Sequence, residues 1–280
     1  MVDQKPIGIF DSGVGGLSIW REIVRQAPQE DTIYVADQAH VPYGGRSLKE
    51  VRQFSEAITR FLLDQGTKII VIACNTASAA ALYSLRRAFS SVPFVGMEPA
   101  VKPAVERSRS GVVAVIATKA TFQGELFASL LERYAQDVEV ITQICPGLVG
   151  AVEAGALDAP ETERLLLECL MPLVEARVDQ VVLGCTHYPF LQPAIESLIG
   201  EGVTVIDPAP AVARQTRRVL AQREVQANRE HVGRHVFFTS GDGVAFERVM
   251  DCLVPRSGER RDVREVHWRG PHMEARPVRR

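Results

Sequence analysis

Short apolar runs recur along the chain, and segments with helical periodicity fill the spaces between them. IGIF (7–10), TIYVA (32–36), KIIVIA (68–73), VVAVIA (112–117), VEVITQI (138–144), QVVLG (180–184) and VTVI (203–206) read as strands. Most are apolar without alternation, as expected of parallel strands covered on both faces. Between them, Leu48, Val51, Phe54, Ile58, Phe61 and Leu62 share one helical face. Ser47 and Glu50 have the spacing of a capping box, and Gly66 supplies a stop. A later helix opens with Asp207 as N-cap and Pro208 in its first position, while Pro172 predicts a kink or split within 161–176. Alternation of this kind predicts an α/β protein with doubly wound, mostly parallel sheets.

The pattern also repeats. Asp11 and Thr118 each follow a strand and lie 107 residues apart; Cys74 and Cys185 are 111 apart; Glu98 and Asp207, each before Pro-Ala, are 109 apart. Matches in one order at nearly one offset predict two similar halves, 1–97 and 98–206. Residues 207–280 then return to complete the first domain through the helix after Asp207 and the strand VFFTS. Two facing α/β domains make a cleft, with the active site in that cleft at the C-terminal strand ends. Cys74 and Cys185 both fall there, at strand-to-helix junctions, where helix N-termini favour a thiolate. Asn75, Thr76, Thr186 and His187 stand beside them, ready for an anionic ligand. Cys145, Cys169 and Cys252 read as small buried hydrophobes.

Composition narrows the function classes. With 46% apolar and 24% charged residues in 280, the chain has enough apolar material for a sizeable core. A net charge of −2 gives no push toward nucleic acid or anionic membrane. No apolar run suits a membrane span, and the first residues lack the long apolar stretch of an export signal. Five cysteines without a CxxC pair then predict reduced thiols in a cytoplasm. Cys185-x-His187 has no second ligand pair, so no metal is expected. Neither a Schiff-base lysine nor a complete dinucleotide or Walker fingerprint stands out, and GVGG (13–16) reads as glycines allowing close substrate approach. No cofactor is therefore expected.

The segments FDSGVGGLS, PYGGRS, ACNTAS and GCTHYP, in this order and spacing, resemble the signature set of the glutamate racemases, in the aspartate/glutamate racemase superfamily. The resemblance runs from about residue 7 to residue 210. It implies cofactor-independent interconversion of L- and D-glutamate, supplying D-glutamate for peptidoglycan, in a cytoplasmic enzyme expected as a homodimer. It also implies that Cys74 and Cys185 are acid/base thiols, with Asp11 and His187 as their polar partners and Asp37 and Glu153 tuning protonation. Asp11, Ser12, Tyr43, Gly44, Asn75, Thr76, Thr186 and His187 would hold the amino acid, and Thr118 and Thr121 match a looser threonine pair. By pattern alone Glu153 reads as solvated surface. The arginine-rich stretch from Arg256 onward matches nothing in the family and reads as a solvated end.

The residue types suit the chemistry. Racemisation removes a weakly acidic α-proton from one face and returns a proton to the other, which two opposed bases do with little substrate movement. Two other classes remain open at this stage. A cysteine hydrolase using Cys185 and His187 would leave Cys74 without a role. A binding protein on the same scaffold gives no reason for thiols on both halves. Aspartate or another acidic amino acid is the nearest alternative substrate.

Overall fold

A computed structural model of the chain describes residues 3–256, 258 and 260–275. The first half contains strands β1 (Ile7–Asp11), β2 (Thr32–Ala36), β3 (Ile69–Ile72) and β4 (Phe94–Val95), with helices α1 (Leu17–Gln26), α2 (Leu48–Asp64) and α3 (Asn75–Ala88). The second contains β5 (Val112–Ala117), β6 (Glu139–Ile144), β7 (Gln180–Gly184) and β8 (Thr204–Ile206). Its helices are α4 (Val101–Arg107), α5 (Lys119–Phe122), α6 (Glu125–Tyr134), α7 (Leu148–Glu153), α8 (Pro160–Glu175) and α9 (Gln192–Ile199). The chain then continues through α10 (Ala209–Gln222), β9 (His235–Thr239), α11 (Gly243–Leu253), β10 (Arg261–Arg269) and β11 (His272–Ala275).

Two sheets result. One runs β11, β10, β9, β2, β1, β3, β4 and is parallel except for the β10–β11 pair; the other runs β6, β5, β7, β8 and is wholly parallel. Each half thus places its first strand between its second and third. The crossovers reverse direction at that central strand, and the loops leaving its C-terminal end and its neighbour's form a crevice. Cys74 follows β3 and Cys185 follows β7, the equivalent strands. The strands are buried along their length in β1, β2, β3 and β7, which is why their sequences do not alternate. One buried apolar cluster runs through both sheets, joining Ile7, Ile9 and Val14 to Ile116, Leu148, Leu183 and Tyr188.

The local signals mostly act as the sequence predicts. The Ser47–Glu50 capping box closes in both directions, and Gly66 ends α2's exit with φ +79°. At α10 the N-cap is Pro208, one residue later than expected, because the Asp207 carboxylate reaches past it to accept from the Ala209 N–H at 2.8 Å. Helix α8 neither splits nor stops at Pro172, which sits in its last turn, where few backbone bonds remain to be lost.

Three expectations are corrected. Among the described residues the arginine-rich end is not simply a solvated tail: β10 pairs with β9, and Val266 and Met273 pack into the buried cluster with Phe238 and Val35; 257, 259 and 276–280 lie outside the described residues. Cys145 and Cys169 are joined in a disulfide rather than reduced, tying the corner after β6 to α8. Cys252 is exposed instead of buried.

Candidate active site

Cys74, two residues past the end of β3, is in extended conformation (φ −141°, ψ 123°) and caps α3, its sulfur accepting from the Ala77 N–H at 3.4 Å. Cys185 differs: after Gly184 the chain turns into a short 3-10 segment (188–191), so this thiol does not cap an α-helix as expected. Gly184 is required there, since a Cβ would lie 2.9 Å from the Ile116 carbonyl oxygen. Both thiols are buried, and both residues line one small cavity. Ser12, Tyr43, Gly44, Asn75 and Thr76 line it from the first half; Thr118, Thr186 and His187 line it from the second. Pro42, from PYGGRS, and Val149 also line it; Val149 carried no sequence signal.

The two thiols have unequal surroundings. His187 points one ring nitrogen at Cys185 Sγ (Nδ1, 3.6 Å) and the other at Glu153 (Nε2 to Oε1, 2.7 Å). Burial disfavours the charged imidazole, but the hydrogen bonds to Cys185 and Glu153 outweigh it and raise the His187 pKa well above its ordinary value. Glu153 likewise titrates below its ordinary value, because the His187 contact and the N–H donors of Gln38 and Val14 outweigh its burial. Cys74 instead is pushed well up, by burial first and by the Asp11 charge second. The sequence expectation of a thiol held low by a helix N-terminus is therefore corrected for Cys74: dehydration wins over the amide donors of Ala77 and Ser12. Asp11 is raised as well, through burial, despite the nearby His187. Its carboxylate accepts from the Gly13 N–H at 3.0 Å and the Thr186 hydroxyl at 3.2 Å.

Asp11 and Glu153 are brought to the thiols from behind the cavity wall. Asp37 is not; its carboxylate accepts from Tyr43, and Tyr43 forms the wall. The Thr76 hydroxyl meets Thr118 at 2.9 Å and Thr121 at 3.3 Å, a hydroxyl cluster that bridges the halves. Asn75 is 3% exposed, yet its amide oxygen and nitrogen have no hydrogen-bond partner among the described residues. Orphaned polar atoms of this kind facing a cavity point to a polar ligand. The glycines of GVGG meet close protein neighbours. A Cβ at Gly13 would lie 1.8 Å from Glu153 Oε1, and one at Gly15 would lie 2.4 Å from His187 Nδ1. Gly13 and Gly15 thus admit side chains from the opposite half of the protein, whereas Gly16 packs against Asp11, Tyr34 and Ala73 of its own half. Gly44, like Gly13 and Gly15, meets the opposite half, facing Thr118 at 2.6 Å.

A sequence profile of the Asp/Glu/Hydantoin racemase family matches residues 7–216. The chain belongs to this family. Within it, the glutamate racemase of Ectopseudomonas mendocina (strain ymp) is 50% identical over 251 residues, 90% of this chain and 95% of that one. Among solved structures, a glutamate racemase isoform from Bacillus anthracis superposes with TM-score 0.84 at 32% identity, covering 96% of this chain and 99% of that one. The Escherichia coli glutamate racemase, solved with L-glutamate and the activator UDP-MurNAc-ala, gives TM-score 0.82 at 30% identity, covering 95% of this chain and all of its own. The racemase profile ends within α10, so strands β9, β10 and β11 lie beyond it.

Proposed function

We propose that this racemase-family chain interconverts L- and D-glutamate without a cofactor, by proton transfer between two thiols, and so supplies D-glutamate for peptidoglycan. The observation that carries the reading is the placement of Cys74 and Cys185 at equivalent strand ends of two like-ordered sheets, lining one cavity. A two-base racemisation needs one thiolate and one protonated thiol across the α-carbon. Cys74, pushed up by burial and by Asp11, holds its proton and serves as the resting acid. Cys185 stands opposite, with a His187 nitrogen 3.6 Å from its sulfur to exchange a proton with, and Glu153 orients that imidazole. Asp11 supports the Cys74 side, with Asp37 holding the wall. Asn75 and the hydroxyls of Ser12, Thr76, Thr118 and Thr186 bind the substrate's carboxylates and amine, with Thr121 backing Thr76 and Thr118 and with Tyr43 and Gly44 shaping the enclosure. In this reading 1–97 plus 207–280 form one domain and 98–206 the other.

Loss of circular dichroism from L-glutamate, with no cofactor added, tests the activity; L-aspartate serves as the competing substrate. In heavy water, D-glutamate formed early is expected to carry deuterium at the α-carbon while remaining L-glutamate stays nearly unlabelled. The acid on the far face has exchanged with solvent, whereas the base returns mostly the proton it took. Equal early labelling of both enantiomers would point to one mobile base, and unchanged dichroism would remove the activity altogether.

A cytoplasmic homodimer completes the reading. Leu167, Met171 and Val174, spaced along one face of α8, are exposed apolar side chains suited to contact between copies. Sedimentation is expected to give twice the chain mass, and a monomer at micromolar concentration would count against it. No helix among the described residues is long and apolar enough to cross a membrane.

A further inference from the structure

We propose that Trp268, on strand β10 beyond the racemase profile, is a positioning residue for the reaction: it fixes the Asp37 carboxylate, which in turn fixes Tyr43 in the cavity wall. The proposal rests on the racemase reading above. Asp37 is fully buried, and its two oxygens divide four donors between them. Oδ2 accepts from the Tyr43 hydroxyl at 2.7 Å and contacts His40 Nδ1 at 2.9 Å; Oδ1 accepts from the Ser240 hydroxyl and from Trp268 Nε1, each at 2.8 Å. Of these four partners, only Tyr43 lines the cavity.

The division between oxygens matters. A carboxylate can rotate about its Cβ–Cγ bond, so a donor on one oxygen alone leaves the other free to swing. Ser240 and Trp268 hold Oδ1 from the added strands, and this aims Oδ2 at Tyr43. The rings reinforce the arrangement. His40 stacks on Phe54 with centroids 3.9 Å apart, and Trp268 meets both edge-on at 4.9 and 5.6 Å. Burial and the Asp37 charge raise the Tyr43 pKa well above its ordinary value, so its hydroxyl remains a donor. The turn that Tyr43 opens also carries Gly44, which packs against Thr118 of the opposite half. A loosened Tyr43 therefore displaces the wall at the point where the two halves meet.

Trp268→Phe keeps an aromatic ring, smaller than the indole, and deletes the Nε1–H donor. The expected result is a fall of about fivefold in kcat/KM, the scale of a single hydrogen bond, with the melting temperature nearly unchanged. In a Tyr43→Phe background the same substitution is expected to cause no further loss, because the chain of contacts is already cut. Ser240→Ala, which removes the other Oδ1 donor, should act in the same direction. Retained kcat/KM in Trp268→Phe with a lowered melting temperature would overturn the proposal, as would equal losses in both backgrounds. Wild-type protein that fails to racemise glutamate would remove the underlying reading, and the proposal with it.

Discussion

Replacing either Cys74 or Cys185 with alanine is expected to abolish racemisation in both directions, by roughly 10³-fold or more, the scale of general acid/base catalysis. Each turnover uses both groups: one sulfur takes the α-proton and the other delivers its own. Neither role has a substitute nearby. His187 also lines the cavity, but its two ring nitrogens are engaged by Cys185 and Glu153, and Asp11 is occupied by the Gly13 amide and the Thr186 hydroxyl. The losses should also fail to multiply, since the double variant lacks nothing that either single variant still uses. Initial rates from L- and from D-glutamate, measured for both single variants and the double variant, check this. Substantial two-way activity in either single variant would sink the two-thiol mechanism.

Gly13→Ala is expected to lower kcat/KM by about 10²-fold, the cost of misplacing a catalytic group by roughly an ångström. Gly13 does not occupy the left-handed region, so its backbone accepts alanine. The damage comes from the new methyl, which would sit 1.8 Å from Glu153 Oε1. That oxygen accepts the Val14 N–H at 2.8 Å and holds His187 at 2.7 Å. Driving it away releases the imidazole beside Cys185 and parts the halves at the cleft. Gly45→Ala serves as the control, because nothing lies within 4 Å of its Cβ position. Wild-type kinetics in Gly13→Ala would show that the Glu153–His187 contact is dispensable.

Much of the fold was legible because local and tertiary demands agree. Continuous apolar runs became buried parallel strands, and Ser47 with Glu50 capped the helix their spacing predicted. The paired cysteines were legible because a duplicated topology puts equivalent residues at equivalent offsets. What escaped was set by distant partners. Glu153 looks like surface on its own helix; Val14, Gln38 and His187, far away in sequence, make it part of the site. The role of Gly13 and Gly15 was hidden for the same reason, since the side chains they admit belong to the other half. Strand β10 was obscured by its charges: Arg261 is buried against Asp251, and Arg264 pairs with Asp262. The Cys145–Cys169 bridge spans 24 residues with no motif to mark it.

The unequal surroundings of the two thiols have a thermodynamic consequence. Cys74 faces a carboxylate and Cys185 an imidazole, so the barriers on the two sides of the α-carbon need not match. Substrate and product, however, are mirror images with identical free energies in water, which fixes the equilibrium constant at unity. The ratio kcat/KM must then be the same for both enantiomers, whatever the protein does to either sulfur. The asymmetry built around the site can appear only as matched changes in kcat and KM, with the enantiomer bound more tightly turning over more slowly. An enzyme with this construction can choose which form it holds longest, and never which form accumulates.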